Sequence, residues 1–192
     1  ELIWREFYKM ILYTSPWVVT GAFKKGFDRL RWGGKDLWFK RWVQGETGYP
    51  IIDAAMREFA DTGRMHNRLR MVVAQFLTKD LLIHWQRGEA HFAAKLLDFD
   101  LSANNGGWQW SASVGCDAQP YFRIFNPSLQ SKKFDPDAEY IKRHLPELRD
   151  LNPKFIHDPL RLASHRPKAY PPPVVAHSEM RLLALEMFKE AR

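Results

Sequence analysis

Apolar residues recur at helical spacing along most of this chain. Asn67 to Ile83 repeats them at Leu69, Val72, Val73, Phe76, Leu77, Leu81 and Leu82 with no Pro or Gly inside, which predicts one uninterrupted central helix. Pro50 to Asp61 sets Ile51, Ala54, Ala55, Met56, Phe59 and Ala60 on a helical face, and Gly63 stands where a left-handed residue ends a helix. Gly88 to Leu97 and Ser178 to Ala191 read as helices, Lys35 to Val43 as a short one, and Asp135-Pro136 opens another that runs to about Leu145. Glu1 to Tyr13 carries Ile3, Phe7, Met10 and Ile11 on one face while Glu1, Trp4, Arg5 and Tyr8 share a second, so this helix is expected to lie between two layers.

The remaining segments are punctuated differently. Ser15-Pro16 has the form of a cap followed by Pro at the first helical position, but the basic stretch from there to Trp32-Gly33-Gly34 is expected to be irregular. Residues 98 to 134 read as a long, mostly irregular region with a helix only around Gln109 to Ser113, and a loop of that length inside a compact domain points to function. Arg166 to Pro173 is Pro-rich and extended. No segment alternates with the period of a strand. The expected fold class is all-α, with long irregular loops between helices.

Composition narrows the partners. With 192 residues, 45% of them hydrophobic and 27% charged, the chain is one ordered domain, and no apolar run approaches the roughly 18 residues of a membrane-spanning helix. Cys116 stands alone and cannot form an internal disulfide, which fits a reducing compartment, the cytoplasm. Lys and Arg exceed Asp and Glu by 29 to 22, a net +7, and eight Trp and thirteen Phe accompany that charge. Basic surfaces beside aromatic ones suit unpaired or extruded bases, so nucleic acid is the expected partner. The chain opens at Glu1, already inside an amphipathic pattern, and is expected to be a piece of a longer protein.

Candidate chemistry concentrates between Asp98 and Trp110. Asp98 and Asp100, the pair Asn104-Asn105, the glycines Gly106-Gly107 and the indoles of Trp108 and Trp110 fall within thirteen residues. Acids and amides suit a ligand with a fixed hydrogen-bonding edge, Gly106-Gly107 allows close backbone approach or a positive φ, and indoles supply flat oxidisable walls. A planar heteroaromatic cofactor uses all of these together. A second cluster opens the central helix: Asn67, Arg70 and Met71 fall at i, i+3 and i+4, with Arg68 a quarter-turn away and His66 reading as a structural histidine. No spacing of His, Cys, Asp or Glu resembles a metal site, and neither a phosphate-cradling glycine loop nor a nucleophile elbow is present.

Taken together, the segments Glu1 to Tyr8, Thr47 to Arg57, Met65 to Met71, Asn104 to Trp110 and Tyr121 to Pro127 resemble, in order, the C-terminal helical part of the photolyase/cryptochrome family. The likeness is greatest to its bacterial members that repair cyclobutane pyrimidine dimers. It implies a non-covalent, folded FAD held by Arg5, Asn67, Arg70, Asp98, Phe99, Asp100 and Asn104, with Asn104 at flavin N5 and Asp98 paired to Arg70. It implies a tryptophan relay of Trp108, Trp85 and Trp32, leaving Trp38 and Trp42 as core. It assigns Glu1, Trp4, Arg5, Tyr8, Asn67, Arg68, Met71, Trp110 and Gln130 to dimer-containing DNA, with Glu1 also sharing a proton with the pyrimidine.

The resemblance further implies that an N-terminal α/β domain with a second, antenna chromophore of folate or deazaflavin type, and a loop gripping the FAD phosphates, lie outside this chain. The working unit is expected to be a monomer. Asn67 after His66 distinguishes the chain from photolyases acting on six-four photoproducts, which carry a second histidine there, and Asn104 from the Asp or Cys of plant and animal cryptochromes. Arg64 departs from the pattern, standing where the family usually has Trp. The alternative reading within the family is a blue-light signalling flavoprotein.

Overall fold

The computed structural model describes residues 2–191, all helices and connections, with no strand among them. The helices are α1 (Leu2–Thr14), α2 (Asp36–Gln44), α3 (Pro50–Thr62), α4 (Asn67–Gln75), α5 (Trp85–Lys95), α6 (Leu101–Ala112), α7 (Pro127–Phe134), α8 (Glu139–His144), α9 (Pro153–Ile156), α10 (Pro159–Ala163) and α11 (His177–Glu190). Their starts follow from capping chemistry. The side chains of His66, His84, Asp100, Asn126, Asn152 and Asp158 each accept a hydrogen bond from a first-turn N–H of the helix that follows.

The core forms where α3, α4 and α5 converge. Ile52, Ala54, Ala55, Val73, Leu77, Leu81 and Trp42 are fully buried, and the two alanines let neighbouring helices approach α3 closely. One carboxylate organises the start of α3. Asp53, wholly buried, accepts from Thr47 N (2.7 Å), Thr47 Oγ1 (2.6 Å), Gly48 N (2.9 Å) and the Tyr170 hydroxyl (2.5 Å). Gly48 itself has φ +77 and lies against the Pro172-Pro173 backbone, so the Pro-rich strap is fastened over this corner. Burial nevertheless pushes the Asp53 carboxyl up to about 6, against the pull of those four hydrogen bonds.

Several expectations from the sequence are corrected. The central helix is not one α-helix to Ile83: it widens after Gln75 into a π turn, Phe76–Asp80, in which Leu81 N donates to Phe76 O at 3.0 Å. Thr78 Oγ1 donates to the Ala74 carbonyl at 2.9 Å, and Leu82 then breaks the run at φ +48. The region from residue 98 is far more helical than expected, because Asp100 caps α6 and the helix runs straight through Asn104 to Gly107. Neither glycine there has a positive φ; Gly106 instead yields space to the Tyr8 ring. Helix α8 begins at Glu139 rather than at Asp135-Pro136, since Ala138 sits at φ +55 and Asp135 accepts from Tyr140 N and Ile141 N as an external cap. The segment after Ser15 contains two short 3-10 turns, Pro16–Val19 and Lys25–Arg29.

Helix α1 does not lie between two layers. Among the described residues it packs chiefly on α6 and the Pro16–Val19 turn, none of its own is buried, and Ile3 is 84% exposed.

Candidate functional site

Helices α5 and α6 face each other through adjacent residues. Asn104 donates its amide hydrogens to the Glu89 carbonyl (3.1 Å) and the Glu89 carboxylate (3.0 Å), which leaves its own carbonyl oxygen to accept from a ligand N–H. Burial raises the Glu89 carboxyl, and the Asn104 bond opposes that shift. One turn further along α6, Trp108 lays its ring over Gly88, where a Cβ would meet the indole well inside 3.0 Å. The glycine in the middle of α5 is therefore the notch that admits Trp108. Gly107, on the Asn104 face of α6, has nothing within 4 Å of where a Cβ would stand, so bare backbone borders open space.

Charge gathers at the start of α4. Arg70 donates through Nη2 to both oxygens of Asp98, at 3.0 and 2.9 Å, and through Nε to the Met65 carbonyl at 2.8 Å. This fixes the loop before α6 to the start of α4. A cavity of about 480 Å³ opens beside the pair, bordered by Glu58, Arg64, Met65, His66 and Leu97. Asn104 and Trp108 do not line it, so the expected acid, amide and indole share the α4–α6 region without sharing one closed cavity. Asp100, expected at a ligand's polar edge, is first the cap of α6: it accepts from Ser102 Oγ at 2.5 Å and Ala103 N at 2.9 Å, and these bonds hold its carboxyl below the usual range. Phe99 between the acids is 42% exposed.

The three expected relay tryptophans run from core to surface. Trp108 is buried, boxed by Phe92 at 5.2 Å and Trp42 at 6.1 Å between ring centroids. Trp85 is buried at the start of α5, one turn before Gly88. Trp32 is half-buried, two residues before Gly34, which lies against Leu81 to Ile83 and donates to the Leu82 carbonyl at 2.9 Å. Trp42 is core, as expected, with its indole N–H donating to Val73 O at 3.1 Å, and Trp38 is half-buried under Lys35.

Of the residues expected at DNA, Trp4, Tyr8 and Trp110 come together. Trp4 lies 6.2 Å from Tyr8, which crosses Gly106 and shares a slot with Trp110, Asn105 and Cys116. Burial, with Cys116 and Asp117 adding to it, pushes the Tyr8 phenol up to about 12. Asn67 is exposed at the first turn of α4, Met71 is half-buried one turn on, and Arg68 swings away to lie 4.8 Å over Phe134 of α7. Arg5 is exposed and pairs with Glu6 at 3.4 Å. Gln130 of α7 has a buried Oε1 without a hydrogen-bond partner. Glu1 lies outside the described residues.

Glu89, Gly88 and His84 escaped the sequence reading. The helix expected from the sequence opens at Gly88, so nothing in the pattern shows that this glycine lies inside α5. Among the described residues no group of His, Cys, Asp or Glu could hold a metal ion, and no helix is long and apolar enough to cross a membrane.

Residues 1–190 match the family model described as the FAD binding domain of DNA photolyase. The chain is 50% identical to the deoxyribodipyrimidine photo-lyase of Escherichia coli over 195 residues, covering 100% of this chain and 41% of that protein. Among solved structures it resembles a bacterial class III photolyase from Agrobacterium tumefaciens, with TM-score 0.94 and 43% identity over 100% of this chain and 41% of that one. A cryptochrome from Synechocystis is similar at TM-score 0.89 and 33% identity, over 97% of this chain and 40% of the other. The chain thus spans about two fifths of the length of the curated relatives it matches.

Proposed function

Since the chain belongs to the family of FAD-binding domains of DNA photolyases, we propose that it is the flavin-holding part of a light-driven lyase that splits cyclobutane pyrimidine dimers in DNA. The observation that carries this reading is the α6 face, where both amide hydrogens of Asn104 are taken by Glu89, its carbonyl is left to accept, and bare backbone at Gly107 borders open space. A planar, nitrogen-bearing ring fits that edge. FAD, when bound, supplies the photoexcited electron that opens the cyclobutane ring.

The residues of this chain then divide the work. Asn104, held by Glu89, accepts from a ring N–H and fixes the ligand's orientation. Arg70, Asp98, Phe99, Asp100, Arg5 and Asn67 complete the cofactor set, with the guanidinium favouring negative charge on the ring system and Asp98 moderating it. Trp108, Trp85 and Trp32 offer electrons in short steps from surface to core. Trp4, Tyr8 and Trp110 give apolar walls for two joined pyrimidines, with Glu1, Asn67 and Met71 at their edges, while Arg68 and Gln130 meet the strand that carries the lesion. Photolyases are among the enzymes that flip their target out of the duplex.

In this reading the protein works as a monomer in the cytoplasm, and the antenna chromophore and the loop that grips the FAD phosphates belong to the segment outside this chain. The signalling alternative is disfavoured by the lower identity to the cryptochrome, 33% against 50% for the bacterial photo-lyase. The test is illumination of the full-length, FAD-loaded protein with a duplex containing one thymine dimer, scored for restored thymines. Normal flavin photoreduction without any restored thymine would overturn repair in favour of signalling.

A further inference from the structure

Between the second and third relay indoles stands a ring that no aspect of dimer repair calls for. His84 caps α5 through Nδ1, which accepts from Gln86 N at 3.2 Å, so the neutral imidazole carries its hydrogen on Nε2. Its ring stacks on Trp85 at 5.9 Å and 26° and also meets Trp32 at 5.3 Å and 59°. Gly34, two residues after Trp32, contacts Leu82.

We propose that His84 is a positioning residue of the electron path, its uncharged imidazole filling the gap between Trp85 and Trp32 and keeping that gap free of positive charge. The inference rests on the relay assigned above. Each electron that leaves Trp108 for the flavin leaves a one-electron hole, which passes to Trp85 and then Trp32, where an external thiol returns an electron. No bond is made or broken among the three indoles. The hole is a cation, so an imidazolium in ring contact with both of its outer stations opposes it. A unit charge at these separations disfavours the hole roughly ten- to a hundredfold at the effective dielectric of a half-buried site.

The surroundings disfavour the charged ring. Burial lowers the His84 pKa, and Asp28 on the Lys25–Arg29 turn opposes that shift from across the gap. Arg87, next along α5, is matched by Asp36 of α2 at 2.7 Å, and Lys35 lies over Trp38. From the π turn, Lys79 points instead to Ser113 and the Phe188 ring, and Asp80 to His177.

The experiment follows the indole radical cation by flash absorption in the full-length, FAD-loaded protein between pH 8 and pH 5, in the unaltered chain, His84→Asn and Trp108→Phe. Asparagine is a good helix cap that does not titrate. Survival of the hole at Trp32 should fall roughly tenfold or more toward pH 5 in the unaltered protein and stay level in His84→Asn. Parallel pH profiles in those two would overturn the role of His84 while leaving the relay intact. Hole formation that persists in Trp108→Phe would overturn the relay itself.

Discussion

Gly88→Ala is the sharpest probe of how α5 and α6 fit together. In an exposed helix the change would stabilise by about 1 kcal/mol, because alanine is the better helix former. Here the new methyl would point at Trp108 Cη2 and Cζ3 and come within 2.6 Å of Leu77 Cδ2. Trp108 cannot retreat, since Phe92 and Trp42 close its other sides, and it is only 3% exposed. Overpacking of this kind costs about 1–3 kcal/mol, and a clash so far inside contact distance belongs at the upper end, so the net loss is about 1–2 kcal/mol after the propensity gain. Urea denaturation of this chain measures it. The atoms in conflict are the outer edge of the indole, which phenylalanine lacks, so Gly88→Ala should cost much less in a Trp108→Phe background. Simple additivity of the two changes, or a more stable Gly88→Ala single variant, would refute the notch.

Other expectations follow from the same contacts. Asp53→Ala leaves Thr47 N, Thr47 Oγ1, Gly48 N and the Tyr170 hydroxyl unpaired in the core, and should cost about 3 kcal/mol or more by denaturant unfolding. Asp98→Asn should change stability by less than about 1 kcal/mol, since its side chain is 65% exposed, yet should reduce FAD retained by the full-length protein through gel filtration; undiminished flavin would remove Asp98 from the cofactor set. His84 gives a pH signature. Its folded pKa lies below the ordinary 6.5, so the folded chain binds fewer protons there than the unfolded one, and the stability it contributes is present above pH 6.5 and lost as pH falls through the lowered value. Thermal melting across that window should show a shallower acid loss in His84→Asn than in the unaltered chain.

The long apolar repeats were legible because burial imposes them. Helix α3, with Gly63 at φ +65 as its stop, agrees with the pattern read from residues 50 to 63 almost residue for residue. The π turn was not legible, since Phe76 to Asp80 continues a helical apolar pattern and the widened hydrogen bonding depends on what packs around Thr78 and Leu82. Helix α6 departs from its sequence pattern for an instructive reason. Asn-Asn-Gly-Gly is poor helix material, and the helix forms because an Asp100 cap, the Glu89 anchor on Asn104 and the Tyr8 and Trp108 packing outweigh propensity. The Arg70–Asp98 pair and the clustering of Trp4, Tyr8 and Trp110 were expected from resemblance, whereas the partners of Asn104 and Trp108 on α5 carry no local signal of their own.

Those partners reveal a division of labour along one helix. Residues 84, 85, 88, 89 and 92 form the inward stripe of α5, and each meets a different part of the proposed machine: His84 touches the outer indole, Trp85 is the middle one, Gly88 and Phe92 seat the inner one, and Glu89 holds the amide that faces the ligand. A rigid helix rises about 1.5 Å per residue, so these stations keep fixed spacings over little more than two turns. In the proposed function, the amide that orients the cofactor and the path that feeds it electrons therefore cannot drift independently. A rotation of α5 that moved Glu89 off Asn104 would also swing Gly88 from under Trp108, coupling cofactor orientation to relay contact through a single element. Glu89→Ala is the corresponding test: it should slow the first electron step from Trp108 as well as loosen flavin orientation, and an unchanged step would show that the two functions are held separately.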